Sequence, residues 1–220
     1  KRTRTQTGDA VGGLVVPMGR PRKPSVLSPA QRSAVERLIR DRGGELKYID
    51  SSASAGVDSD GTAGIDSAVD QGDGKSERIG NYIKMQRYIA RWQVTVADAT
   101  NMVRIIMLQW KPNTASDALA LTDVMESAFM GSATAPLSTF NQTNYGNYFR
   151  VLYDELVCVS TDNPVVVGKI DLDLSRCSQV KFGNDASASG AGHLYMLRIS
   201  DSTAISHPDF TYVGRLLYRD

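Results

Sequence analysis

The amino-acid sequence predicts an all-β protein: an eight-stranded antiparallel jelly-roll sandwich with a basic N-terminal arm and a short amphipathic helix. Three observations lead there. From residue 45 onward, short runs of apolar–polar alternation follow one another between turn residues, without the regular helices that a parallel α/β sheet requires. The runs number eight, the jelly-roll count. Charge is divided unevenly as well: residues 1–44 hold ten Lys/Arg against three acids, net +7, and the remainder holds 15 against 21, net −6. A basic tail on an acidic body points to a polyanionic partner.

Residues 1–27 are Gly, Pro, Thr and Arg with one apolar patch, Leu14-Val15-Val16. They bury too little surface to fold alone and read as a flexible arm. With no initiator methionine at Lys1, further basic residues are expected upstream. A helix is expected over 28–44, where Ser28 and Gln31 form a capping box, Pro29 takes the first helical position and Gly43-Gly44 end it. Ala30, Ala34, Val35, Leu38 and Ile39 make one apolar stripe, and Arg32, Glu36 and Arg40 lie along another face with Arg37 nearby.

Strands are expected at 45–50, 83–96, 102–110, 149–159, 165–174, 180–182, 193–199 and 210–218, within one domain over 45–220. Alternation in the second run changes phase near Arg87-Tyr88, as a bulge would cause. Residues 117–129 read as a short helix. Segments 51–75, 111–146 and 183–192 read as long connections of the kind that carry interactions. The 149–159 run is apolar on both faces, which requires cover from neighbouring elements or another subunit.

No catalytic residues are expected. Gly72-Asp73-Gly74-Lys75-Ser76 ends like a phosphate-binding loop, but Val69 stands where the motif needs glycine. Asp58-Ser59-Asp60-Gly61 resembles part of a calcium loop whose twelfth position is Ser67 instead of a bidentate Glu. Cys158 and His193 read as a buried structural cysteine and a strand-end histidine, not as a nucleophile and its base, and His207 precedes Pro208. Asp154 and Glu155, adjacent in a strand, point to opposite faces. Cys158 and Cys177 supply neither a disulfide framework nor metal-ligand spacing, and no apolar run is long enough to span a membrane or serve as a secretory signal.

A family resemblance adds to this. Gln71-Gly72-Asp73 and Glu77-Arg78-Ile79-Gly80-Asn81-Tyr82-Ile83 lead into the 83–96 strand, then Val103-Arg104-Ile105-Ile106-Met107-Leu108-Gln109-Trp110. Phe149-Arg150-Val151-Leu152-Tyr153-Asp154 follows, then Gly190-Ala191-Gly192 and Tyr195-Met196-Leu197-Arg198-Ile199-Ser200-Asp201-Ser202. In order and spacing, from about residue 28 onward, these resemble the capsid proteins of satellite tobacco necrosis virus and of small circular single-stranded DNA viruses. The 51–75 segment and the Tyr/Asn-rich 141–148 stretch depart from the satellite pattern.

The resemblance implies a capsid protein of the virion without enzyme activity. It would self-assemble into a sixty-copy, T=1 icosahedral shell, with the N-terminal helix projecting inward. It also implies calcium between subunits, but no ligand positions match here; no metal residues and no other cofactor are assigned. Genome contact is expected from Lys1, Arg2, Arg4, Arg20, Arg22, Lys23, Arg32, Arg37, Arg40 and Arg42. Such groups neutralise phosphates without reading sequence, and sixty arms at +7 bring about 420 charges inside, enough for roughly 400 phosphates. The genome is single-stranded DNA or RNA, with 77–83 and 149–154 leaning towards DNA. The clusters Lys1–Arg4 and Arg20–Lys23 also suit passage through the host nucleus. Nothing identifies a host receptor. The alternative reading is a cellular jelly-roll module for carbohydrate or peptide, with the arm as a linker and Trp92 and Trp110 as its candidate aromatics.

Overall fold

Alternation of period two becomes nine antiparallel strands in the computed structural model, which describes residues 28–42, 44–113, 119–183 and 187–220, excluding the side chains of 36–42 and 127. The strands are β1 (Leu46–Gly56), β2 (Thr62–Ile65), β3 (Tyr82–Thr95), β4 (Thr100–Asn113), β5 (Phe149–Ser160), β6 (Val165–Asp173), β7 (Val180–Phe182), β8 (Gly190–Ser200) and β9 (Asp209–Arg219). The helices are α1 (Pro29–Arg42) and α2 (Leu121–Val124). The expected 1–27 arm lies outside the described residues. The chain divides after Gly43, so α1 and the body from Gly44 onward are each taken alone.

Nine strands replace the eight expected. The difference lies in the 51–75 segment, expected as a loop: β1 continues to Gly56 and β2 follows within it. Ser51–Gly56 has little intrinsic strand preference, but β1 pairs with β9 along its whole length, from Leu46 opposite Arg219 to Gly56 opposite Asp209. The partner strand imposes the extended form where local propensity does not. A cross-strand bond of 2.8 Å between the Ser54 and Thr211 hydroxyls adds to it.

Pairing is nested. β1 pairs with β9, β2 with β8, β3 with β6 and β4 with β5. Contacts of β9 with β3 and of β8 with β4 then make two ladders, β1-β9-β3-β6 and β2-β8-β4-β5. The short β7 bridges the start of β3 to β8, joining everything into one sheet. The bulge expected near Arg87 lies between Met85 and Arg87. Ile83 and Met85 are buried before it, and Tyr88, Ala90, Trp92 and Val94 after it.

Both ladders contribute to one apolar cluster, including Trp92, Ile105, Val157, Ile170, Met196 and Leu216. Its two bulkiest inward rings need room. A β-carbon at Gly168 would lie 2.1 Å from the Trp92 ring, and one at Gly214 would lie 2.3 Å from the Tyr88 hydroxyl. A second cluster covers the other side of the β4–β8 pair, where Val124 and Met125, with Leu121 and Phe140, pack on Ile106, Leu108, Trp110 and Leu197. The helix expected over 117–129 is therefore only the four-residue α2 and a 3-10 turn at Ser127–Phe129; residues 117–118 lie outside the described residues. The chain here follows a flat sheet: Met125 is already extended at the end of α2 and forms an antiparallel bridge with Phe140.

Arg104 of β4 holds this cover in place. Its guanidinium donates to both carboxylate oxygens of Asp154 at 2.7 Å, to the Pro136 carbonyl at 3.2 Å and to the Ser138 carbonyl at 2.6 Å, and sits 4.9 Å above the Phe140 ring. Replacing it leaves a half-buried carboxylate and two carbonyls unpaired. Arg104→Leu is expected to lower stability by about 2–4 kcal/mol in urea unfolding, whereas Arg91→Leu, which breaks no ion pair, is expected to change it by less than about 0.5 kcal/mol.

Candidate nucleic-acid interface

Helix α1 starts as its sequence expects. The Ser28 amide donates to Gln31 Oε1 at 2.9 Å, and the Gln31 amide donates to Ser28 Oγ at 3.2 Å, a reciprocal capping box. Arg32 is exposed on the first turns; Arg37, Arg40 and Arg42 fall within the helix, and their side chains are outside the described atoms. Lys1, Arg2, Arg4, Arg20, Arg22 and Lys23 lie outside the described residues. Ala30, Ala34 and Val35 are exposed in this element taken alone, Val35 by 39%.

The body carries a second set of cations that the sequence reading missed. Registers across β1-β9-β3-β6 align its outward residues in rows: Tyr48–Leu217–Arg87–Asp173, then Asp50–Arg215–Ile89–Asp171, Ser52–Val213–Arg91–Lys169, and Ser54–Thr211–Gln93–Val167. The alternation Arg87, Ile89, Arg91, Gln93 was the available signal, since residues two apart share a face. Arg87 grips Asp171 with two bonds of 2.8 and 2.9 Å, and Lys169 reaches the same carboxylate at 2.7 Å. Arg215 grips Asp50 at 2.6 and 2.8 Å and lies 4.4 Å over the Tyr48 ring. Hydrogen bonds from Arg87 and Lys169 hold the Asp171 carboxyl below its ordinary range, and Arg215 does the same to Asp50.

Between the ladders lies a buried polar group. Asp66 accepts from the Tyr88 hydroxyl at 2.9 Å and the Tyr212 hydroxyl at 2.6 Å. Burial pushes the Asp66 carboxyl above its ordinary range despite both donors. The buried Arg198 guanidinium lies over the Phe210 and Tyr212 rings at 5.4 and 5.9 Å.

The remaining motifs have structural roles. In the Gly72–Ser76 turn the Gly74 amide donates to Glu77 Oε2 at 2.8 Å, so this chain's own carboxylate sits where a phosphate would. Asp58 accepts from the Gly61 amide at 2.8 Å, closing a turn with Gly61 at φ +72°. Cys158, expected to be buried, is exposed, because it alternates with buried Val157 and Val159 and so points to the outer face of β5. It lies opposite Met102 while buried His193 lies opposite Trp110, at the far end of β4, so the two do not form a nucleophile–base pair. Asp154 faces Arg104, and Glu155 takes the Tyr153 hydroxyl. Among the described residues, no cluster of three or more His, Cys, Asp or Glu could hold a metal, and no helix is long and apolar enough to cross a membrane.

The chain matches no family model and no curated protein.

Asp66 has a pH signature. Its folded state holds a proton more tightly than the unfolded chain, so its contribution to stability falls as pH rises from the ordinary carboxylate range through the raised value. Urea midpoints of wild type and Asp66→Asn across pH 4 to 8 are expected to diverge with rising pH, wild type losing ground. A constant difference counts against an ionising Asp66.

Proposed function

We propose that this chain is the coat protein of a small icosahedral virus, with residues 45–220 as a jelly-roll shell domain and residues 1–44, the arm over 1–27 and the helix over 28–44, as its genome-binding segment. The nested pairing carries the reading: first strand with last, second with the next to last of the main strands, and inward to β4 with β5. Such nested antiparallel pairing supports reading the body as a jelly roll, a fold used by viral capsids and lectins. Fold alone does not choose between those uses. The charge partition favours the first, because a net +7 on residues 1–44 against −6 on the rest suits a body that packs against copies of itself while its tail meets phosphate. The resemblance to satellite-virus and small circular DNA virus capsids supports a shell of about sixty copies.

Assembly would bury edge strands and loops against neighbouring copies, at well over about 1,000 Å² per stable contact. Exposed Leu156 and Cys158 on the β5 edge suit such a contact. The reading assigns no catalytic group. A sugar-binding module has one observation in its favour: Tyr145 and Tyr148 are half-exposed in an amide-rich stretch. Trp92 and Trp110, the aromatics expected for it, are buried.

The test is expression of the full chain, size-exclusion chromatography at moderate salt, negative-stain microscopy and the 260/280 nm absorbance ratio. Uniform shells with raised 260 nm absorbance are expected, and deletion of residues 1–27 should lower that absorbance. A nucleic-acid-free monomer across salt and pH would overturn the proposal.

A further inference from the structure

The outward face of β1-β9-β3-β6 has more cations at its centre than carboxylates to match them. Arg87, Arg91, Lys169 and Arg215 face three, Asp50, Asp171 and Asp173; Asp171 serves both Arg87 and Lys169, and Asp173 lies opposite Arg87. Arg91 has no ion-pair or hydrogen-bond partner among the described residues, and the β3–β6 register sets it directly opposite Lys169. Like charges facing across a ladder destabilise it. Asp209 lies at the far end of the face, and Asp173 also accepts from the Ser175 amide at 2.9 Å.

Two shallow grooves meet at Arg91. One, of about 690 Å³, is lined by Arg91, Gln93, Val167, Lys169 and Thr211; the other, of about 310 Å³, by Ile89, Arg91 and Arg215. Val213 borders both and is 62% exposed, and Val167 is 71% exposed. The site therefore offers unneutralised positive charge between apolar ledges, with Ser52, Ser54, Thr211 and Gln93 supplying neutral polar groups beside it.

We infer that this face binds the phosphodiester backbone of single-stranded nucleic acid, centred on Arg91 and Lys169. This rests on the coat-protein reading and adds a contact on the folded body to the one proposed for the basic segment. A nucleotide suits the face because its phosphate answers the cations while its base has a flat apolar side to cover Val213 or Val167. A sulfated sugar answers only the charge. The face carries no exposed aromatic beside Arg91, so the contact is independent of sequence.

The test uses the full chain and a fluorescent single-stranded oligonucleotide of mixed sequence, titrated at several salt concentrations. Each lost phosphate contact removes about 0.7 from the slope of log affinity against log salt. The double variant Arg91→Gln/Lys169→Gln is expected to bind on the order of 10-fold more weakly at low salt, with a slope shallower by about 1.4. Arg150→Gln, on β5, is expected to change neither. Ultraviolet crosslinking of the wild-type chain, read by mass spectrometry, should place nucleotides on peptides holding Arg91 or Lys169, and needs no variant to fold. If shells form and carry nucleic acid while slope and crosslinks exclude this face, the inference falls and the coat reading stands. Heparin binding without oligonucleotide binding, or a double variant defective only in assembly, overturns it as well. A wild-type chain that neither assembles nor binds oligonucleotide overturns both.

Discussion

The pairing of the first strand with the last is the constraint on which the rest of the body depends. β1 and β9 align from Leu46 opposite Arg219 to Gly56 opposite Asp209, bringing together residues more than 150 positions apart in the chain. Loop closure on that scale is expensive in entropy, so the contacts that follow must hold it. A buried ion pair at one end contributes: Lys47 Nζ donates to Asp220 Oδ2 at 3.0 Å and to the Glu77 carbonyl at 2.9 Å, while the Ile79 amide donates to the same Asp220 oxygen at 2.8 Å. The Lys47 and Asp220 side chains are 3% and 5% exposed, so each needs all of these partners. Once β1 and β9 are joined, β9 aligns β3 and β3 aligns β6, and the rows of the open face are set.

The two outward faces then differ for a physical reason. Over β4 and β8, Val124, Met125 and Phe140 supply an apolar cover that Arg104 pins through Asp154 and two carbonyls. Over β9 and β3 the outward residues are charged, hydroxylated or small and aliphatic, and the described residues place no such cover on them. The proposed assignment follows this asymmetry, with one face finished by the chain itself and the other left for a partner. In the proposed shell of about sixty copies a modest excess of charge on each face would be multiplied by symmetry, as the charge of the proposed arms would be.

Much of this was legible in the sequence, and what was not shares one cause. The capping box of Ser28 and Gln31 and the bulge beside Arg87 are local patterns, and both appear where the residues put them. The second half of β1 was hidden because Ser, Ala and Gly have no strand signature, and β2 because Thr62 and Ile65 flank Ala-Gly in a run of four; pairing with β9 and β8 makes those segments extended. Residues 117–129 misled for the complementary reason, since apolar residues spaced for a helix also suffice to cover a sheet. Arg91 was visible as part of an alternating run. That its neighbours' charges are taken by Asp171 and Asp50, 84 and 165 positions away, follows only from the fold.

The mass of the full chain in solution tests the central claim most directly. Sedimentation velocity followed at both 260 and 280 nm separates a shell from a subunit and a filled shell from an empty one in a single run. The account predicts one fast boundary, at the mass of about sixty chains plus nucleic acid, absorbing strongly at 260 nm. A single slow boundary at the mass of one or a few chains, with the absorbance of protein alone, would contradict it.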